Sequence, residues 1–351
     1  MNSKLLKELS NADSIASNED EVRSILYREL ADYSNEVFTD NLGSVIFYKK
    51  GTSQNPLKVM FCAHMDEVGF MVRHISDIGL VYLISVGSVL DKSKEMQMVR
   101  ITTKDGKKIE GLLNVTKDSN GHVKDMYVDI GVETLEEVKK LGVDIGDMVC
   151  FAGEARELAG KVYAGKAMDD RAGCYVLIEA MKRIQQDIEN DIYFVGTSSE
   201  EVGARGARTA THIINPDIVF ALDVANNSEL LKNYTNHRLI GKGLMIVHYD
   251  KTLSPNRKLV NYVKDLANEY DIHYQSDMFS GGGTDGGNAH LKKGGILALV
   301  LGIPLRYCHG SYSFVHGDDL ENLIQLVNHL IQRLTYKDYC NFIDFMGGNE
   351  K

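Results

Sequence analysis

KVMFCAHMDEVGF, residues Lys58–Phe70, shows how the chain is organised. KVMFCA is apolar enough to be a buried strand. It runs straight into His64, Asp66 and Glu67, side chains that can hold protons or cations. From about Phe70 the texture changes. GFMVRHI, GLVYLISV, MVRITT, KKIEGLL and DMYVDI are short alternating runs. Asp105-Gly106 and Asn120-Gly121 between them are strong hairpin dipeptides. Strands at this spacing without long helices predict a small β-barrel or sandwich, with Glu133–Leu141 as the one helix inside it.

On either side the pattern is helix and strand in alternation. Ser17 is placed to cap a helix carrying Val22, Ile25, Leu26 and Leu30, and Ser44–Tyr48 follows as a strand. After Lys166, Arg171–Gln186 reads as a helix, DIYFVGT, IVFALDV, HYQSDMF and ILALVLGI read as strands, and Ser254-Pro255 reads as a helix start. Asp318–Thr335 reads as a long amphipathic helix with Asp318 and Glu321 spaced like a capping box. The economical division is an α/β domain made of residues 1–69 and 161–351, interrupted by a β-rich insertion over 70–160.

Composition narrows the function. The 351 residues are 44% hydrophobic and 25% charged, the balance of a globular protein. A formal charge of −10 without a basic stripe argues against nucleic acid as a partner. No apolar run approaches the ~20 residues of a membrane span. The first residues, MNSKLLKELSNADSIAS, do not read as a secretory signal. Cys62, Cys150, Cys174, Cys308 and Cys340 are odd in number, widely spaced and without a CxxC pair, which fits reduced thiols and a cytoplasmic location.

Ionisable residues recur at strand ends. KVMFCA runs into His64-Met65-Asp66-Glu67, DIYFVGTSS into Glu200-Glu201, IVFAL into Asp223, and ILALVLGIPLRYC into His309. Asp169-Asp170 precedes the Arg171 helix. Taken singly, H-x-D is a weak pattern, Glu200-Glu201 fits a solvated turn, and Asp169-Asp170 fits a helix cap. Asp223 is harder to dismiss, because an acid after a fully apolar strand needs a partner. In open α/β sheets the carboxyl ends of strands line the ligand crevice. So many carboxylates there repel one another, and divalent cations remove the conflict. Mixed His and carboxylate donors suit zinc, cobalt or manganese better than calcium, and the stock fits two ions. Gly281–Gly286 satisfies G-x-G-x-x-G, but a strand follows it and Arg306 stands where the ribose-binding acid belongs. A nucleotide is therefore excluded. The glycines instead predict close backbone approach to a substrate, with Thr284 and Asp285 as contacts for the peptide or its free amine.

AHMDEVGF at Ala63–Phe70, GKAMDDRAG at Gly165–Gly173, TSSEEVGARGA at Thr197–Ala207, ALDVA at Ala221–Ala225, GGGTDGG at Gly281–Gly287 and PLRYCHG at Pro304–Gly310 together resemble the M42 family of metalloaminopeptidases, the glutamyl- and tetrahedral-aminopeptidase group. The resemblance implies a zinc-peptidase-like α/β catalytic domain with a mixed central sheet flanked by helices, and an inserted PDZ-like β-barrel that supports assembly and substrate access. It implies two divalent metal ions per subunit, zinc or cobalt with manganese as a further candidate. His64 and Asp223 would bind one, Glu201 and His309 the other, and Asp169 both. Glu200 would be the general base and Asp66 would hold the His64 imidazole. The implied activity is release of N-terminal residues from small peptides by a self-assembled, dodecameric tetrahedral particle. Leu305 and Gly310 depart from the family's usual Thr or Gln and Ser around the last histidine. His316 is a rival to His309, read here as an exposed residue ahead of the final helix. Two other readings are a carboxylate-pair polysaccharide hydrolase and a peptide-binding scaffold without catalysis.

Overall fold

A computed structural model describes residues 1–184, 187–226, 238–279 and 281–347. An eight-stranded mixed sheet forms the centre. Its spatial order is Glu36–Thr39, Val45–Lys49, Asp191–Thr197, Lys58–His64, Ile218–Asn226, Leu297–Leu305, Leu244–Val247 and Tyr274–Asp277. The middle four are parallel, with Thr197 beside His64, Ala221 beside Cys62 and Asp223 beside Gly302. Both faces are covered, which is why these strands are apolar throughout. Phe61, Phe194 and Phe220 stack on the face packed by helices Met168–Lys182 and Gly317–Arg333. Met60, Cys62, Val195 and Val219 meet helix Arg205–Ile214 on the other.

Several helix boundaries differ from the sequence expectation. Helix Asp20–Leu30 starts at Glu19, not Ser17, and Ser17 instead donates its N–H to the Glu19 carboxylate over 2.8 Å. Helix Arg257–Glu269 is capped by Asn256, whose Oδ1 accepts from the N–H groups of Lys258 and Leu259, so it begins beyond Ser254-Pro255. The last long helix starts at Gly317. His316 Nδ1 accepts the Asp318 N–H at 3.2 Å, and Glu321 turns to Arg183, so the expected capping box is not formed. His316 is therefore a half-buried cap rather than an exposed residue. The helix expected at Arg171–Gln186 runs from Met168 to Lys182; Gln185 and Gln186 lie outside the described residues.

The expected barrel or sandwich is a closed barrel, in the order Gly69–Ile75, Val81–Val86, Val123–Asp129, Lys108–Lys117, Gln97–Thr102, Met148–Phe151. Phe70, Val72, Val99, Ile101, Leu113 and Val149 fill it. Thr134 caps the short helix Leu135–Leu141, and Gly142 closes it at φ 92°.

Buried ions tie the barrel to the sheet. Asp13 Oδ2 lies 3.0 Å from Arg100 Nε and 2.8 Å from Lys108 Nζ, both from barrel strands, while its Oδ1 lies 3.2 Å from Lys166 Nζ. Burial alone would raise the Asp13 pKa, but Lys166, Lys108 and Arg100 outweigh it and hold it below its ordinary value. Asp13→Asn removes the buried charge shared by Lys166, Arg100 and Lys108 and should lower stability by about 3–5 kcal/mol, read from denaturant midpoints. The folded pKa lies below the unfolded one, so this contribution is complete above the unfolded value of about 3.9 and is lost as pH falls. The gap between wild type and variant should close below pH about 4.

Candidate metal centre

The parallel register brings four strand ends to one edge of the sheet. His64 ends its strand, Glu200 and Glu201 follow Thr197, Asp223 sits within Ile218–Asn226, and His309 follows Leu305. Asp169 comes from the entry to helix Met168–Lys182, where its φ of −86° and ψ of 102° are not helical. His64, Asp169, Glu200, Glu201, Asp223 and His309 all line one cavity of about 880 Å³.

Asp169 is the hub. His64 Nε2 lies 3.0 Å from its Oδ1, and His309 Nε2 lies 3.2 Å from its Oδ2. Cys308 Sγ donates to the same Oδ2 over 2.8 Å. His309 Nε2 is also 3.5 Å from Glu201 Oε2. One donor atom each from His64, Asp169 and Asp223 falls within 4.8 Å of the others, and the same holds for Asp169, Cys308 and His309.

Asp66 and Asp170 are buried behind this layer. The Asp66 carboxylate accepts the backbone N–H groups of Glu200 (2.9 Å) and Glu201 (3.1 Å), which fixes the turn carrying both glutamates. Its carboxylate stands 3.5 Å from His64 Nδ1, but its carbonyl oxygen is nearer at 3.0 Å. Asp170 Oδ2 accepts the His64 N–H at 3.2 Å, and its Oδ1 accepts the Gly173 N–H at 3.0 Å. The adjacent aspartates therefore divide their work, Asp169 facing the cavity and Asp170 holding the His64 backbone. His316 is at the Gly317 helix cap and takes no part. In the glycine-rich loop Thr284 lines the cavity, but Asp285 is buried and accepts from the Thr197 hydroxyl. A Cβ on Gly283 or Gly287 would come within 2.5 or 2.1 Å of Thr252, so Thr252 packing demands these two glycines. Thr252 carries no signal in the sequence, and Asp170 is visible there only as half of the Asp169-Asp170 pair. Cys308 was visible there only as the neighbour of His309.

The M42 glutamyl aminopeptidase family model matches residues 43–326. The chain belongs to this M42 family. It is 31% identical to the lysyl aminopeptidase of Pyrococcus furiosus over 91% of this chain and 93% of that protein. The TET aminopeptidase of a marine-sediment Thaumarchaeota archaeon superposes with a TM-score of 0.93 at 33% identity, covering 97% of this chain and 99% of the other. The TET1 peptidase of Pyrococcus horikoshii, described as assembling into a tetrahedron or a large octahedral shell, superposes at 0.85 with 28% identity, over 95% of this chain and 99% of its own.

Electrostatics tests whether the residues of this M42 member fit cations. Burial, then Asp169 and other carboxylates, push Glu201 and Asp223 up to about 8. Burial alone would lower His309, but Asp169 and Glu201 raise it to about 9. Glu201 Oε1 is buried with no hydrogen-bond partner. A second acidic group, Asp13, Glu67 and Cys150, is also close enough to hold an ion. There, however, Lys166 Nζ lies 2.6 Å and Arg171 Nη2 3.1 Å from Glu67 Oε1, and Lys108 and Arg100 reach Asp13. That group carries its own cations. Among the described residues, the cationic partners of Asp169 within ion-pair distance are histidines, and its donors fit added divalent ions.

Two outcomes are expected. A cation must displace the protons held on Glu201, Asp223 and His309, so metal uptake near pH 7 should release protons. Calorimetric heats should then differ between buffers of different ionisation enthalpy, and affinity should rise with pH through about 8 and level off above about 9. A Cβ on Gly173 would sit 2.5 Å from the Asp170 carboxylate. Gly173→Ala should thus destabilise the fold by about 1–3 kcal/mol and weaken metal retention, checked by thermal unfolding and metal analysis.

Proposed function

We propose that this chain is a metal-dependent aminopeptidase that releases N-terminal residues from peptides, using two divalent cations and a glutamate base. M42 aminopeptidases are metal-dependent, which leaves the assignment of residues as the open step. One observation carries it. The two oxygens of Asp169 face separate donor sets, Oδ1 towards His64 and Oδ2 towards His309. A carboxylate placed this way suits a bridge, with His64 and Asp223 on one side and Glu201 and His309 on the other. When bound, the cations supply Lewis acidity and make water acidic enough to be a nucleophile at neutral pH. Zinc, cobalt and manganese all suit these donors.

Glu200 lines the cavity, while its neighbour Glu201 is the one that reaches His309 Nε2 at 3.5 Å. Burial, with Asp223, Asp285 and Glu201 adding to it against His64, raises the Glu200 pKa. A carboxylate raised above its ordinary range is a stronger base, suited to take a proton from water and return it to a leaving amine. Asp66 holds Glu200 in place through its backbone N–H. Two histidines amid the carboxylates favour cations over a bare acid–base pair, against the polysaccharide-hydrolase reading.

The α/β portion is then a zinc-peptidase-like catalytic domain, residues 1–69 and 161–351. The insertion over 70–160 serves as a PDZ-like module for assembly and access. By analogy with the P. horikoshii TET1 shells, the subunits would form a tetrahedral dodecamer. Among the described residues no helix is long and apolar enough to cross a membrane, which is compatible with the proposed cytoplasmic location.

Hydrolysis of aminoacyl-chromophores by metal-loaded protein tests this reading. Glu200→Gln should cut kcat by roughly 10²–10⁴-fold while metal content stays near wild type. Glu201→Ala should lose about one of the two ions by elemental analysis. A Glu200→Gln enzyme with near-normal kcat would remove Glu200 from the base role.

A further inference from the structure

Cys308 lies at the cavity wall, with 6% of its surface exposed. An extended chain would send Cys308 and His309 to opposite sides. Here Tyr307 and His309 adopt left-handed φ values of 63° and 60°, and both side chains reach Asp169 Oδ2, Sγ at 2.8 Å and Nε2 at 3.2 Å. Sγ, the His309 nitrogen and an Asp169 oxygen thus form a compact donor group within 4.8 Å. An independent feature points to the same place. Glu201 has a 5% exposed side chain, brings Oε2 to 3.5 Å from His309 Nε2, and leaves Oε1 buried without a partner. Sulfur, nitrogen and an Asp169 oxygen therefore face one spot, and the Glu201 carboxylate that reaches His309 beside it has a buried acceptor unused.

The other buried thiols are placed differently. Cys174 Sγ donates to the His64 carbonyl at 3.2 Å, and Cys62 Sγ lies 3.9 Å from the Phe220 carbonyl, so each spends its hydrogen on backbone. Cys150 sits in the acidic group neutralised by Lys166 and Arg171. Cys308 instead points its hydrogen at a carboxylate of the proposed centre.

We propose that Cys308 is a thiolate ligand of the cation on the His309 side, giving that position a mixed sulfur, nitrogen and oxygen donor set. The assignment rests on the dinuclear reading above. On binding, the thiol proton now shared with Asp169 leaves to solvent, and a sulfur lone pair and Asp169 Oδ2 take the cation in its place. A thiolate among the donors selects zinc or cobalt over manganese, which prefers oxygen. The two positions then differ in kind, since the His64 side offers only nitrogen and oxygen.

Cobalt(II) added to metal-depleted protein separates the two readings. Visible d–d absorption reports occupancy of the centre, and a near-ultraviolet thiolate-to-cobalt charge-transfer band reports sulfur ligation. The expected result is both signals in wild type, with the charge-transfer band lost in Cys308→Ser and Cys308→Ala while the d–d absorption persists. X-ray absorption of the zinc-loaded wild type gives a check independent of variant folding, with a sulfur shell expected at about 2.3 Å. Full cobalt loading without the charge-transfer band, a band unchanged in Cys308→Ser, or zinc spectra with no sulfur shell would each overturn the assignment while leaving two-ion binding intact. No cobalt uptake at all would overturn the dinuclear reading and this assignment together.

Discussion

Like charges crowded in a buried place dominate this molecule. Glu200, Glu201, Asp169 and Asp223 meet at the carboxyl edge of the parallel strands, and among the described residues two imidazoles are the cationic groups within ion-pair distance of Asp169 and Glu201. Like-charged carboxylates at such separations cannot all ionise without compensation. The chain on its own compensates with protons, which is why Glu201 and Asp223 sit near 8 and His309 near 9. Divalent ions would compensate more strongly, and the two Asp169 oxygens face separate donor sets.

The contrast with the Asp13 cluster shows that acidity is not the distinguishing property. Both are largely buried, and both bring potential ligands together, three around Asp13 and five around Asp169. Glu67 and Asp13 meet Lys166 and Arg171, fixed ammonium and guanidinium groups delivered by the same Gly165–Gly173 motif that supplies Asp169. One short segment therefore neutralises one cluster and adds a carboxylate to the other. His64, Asp66 and Glu67 divide in the same way: His64 faces the cavity, Asp66 holds the glutamate turn, and Glu67 joins the ion network.

Much of this was legible in the chain because the central strands are apolar on both faces and stop abruptly at polar residues. KVMFCA before His64 and IVFAL before Asp223 announce a buried parallel strand and the edge where it ends. What could not be read depends on contacts between distant segments. Asp66 does stand against the histidine two residues away, its carbonyl 3.0 Å and its carboxylate 3.5 Å from His64 Nδ1, but that the same carboxylate also accepts the Glu200 and Glu201 N–H groups could not be read. Ser17 had the right chemistry for a cap, but the Glu19 carboxylate accepts both the Ser17 and the Ser199 N–H groups and sets the helix start. Asn256 displaced Ser254 because its amide does two things at once, accepting at the helix N-terminus and donating to the Phe342 carbonyl at 3.0 Å. Local signals name residues able to cap; tertiary partners decide which one does.

The barrel's point of insertion ties it mechanically to the chemistry. Its first strand opens at Gly69, directly after Glu67 and Val68, and the chain returns from it through Val162–Gly165 to Asp169. Both junctions therefore lie within a few residues of proposed ligands. A third link comes from the barrel's own loops: Leu90 donates its N–H to the His309 carbonyl at 3.1 Å, and Ser88 lines the cavity. The Asp13 ions reinforce the joint from below with Arg100 and Lys108. A rigid shift of the barrel would pull on His64, Asp169 and His309 at once. Contacts the barrel makes elsewhere would therefore bear directly on the spacing of the donor groups. The insertion belongs to the support of the centre as much as to the walls around it.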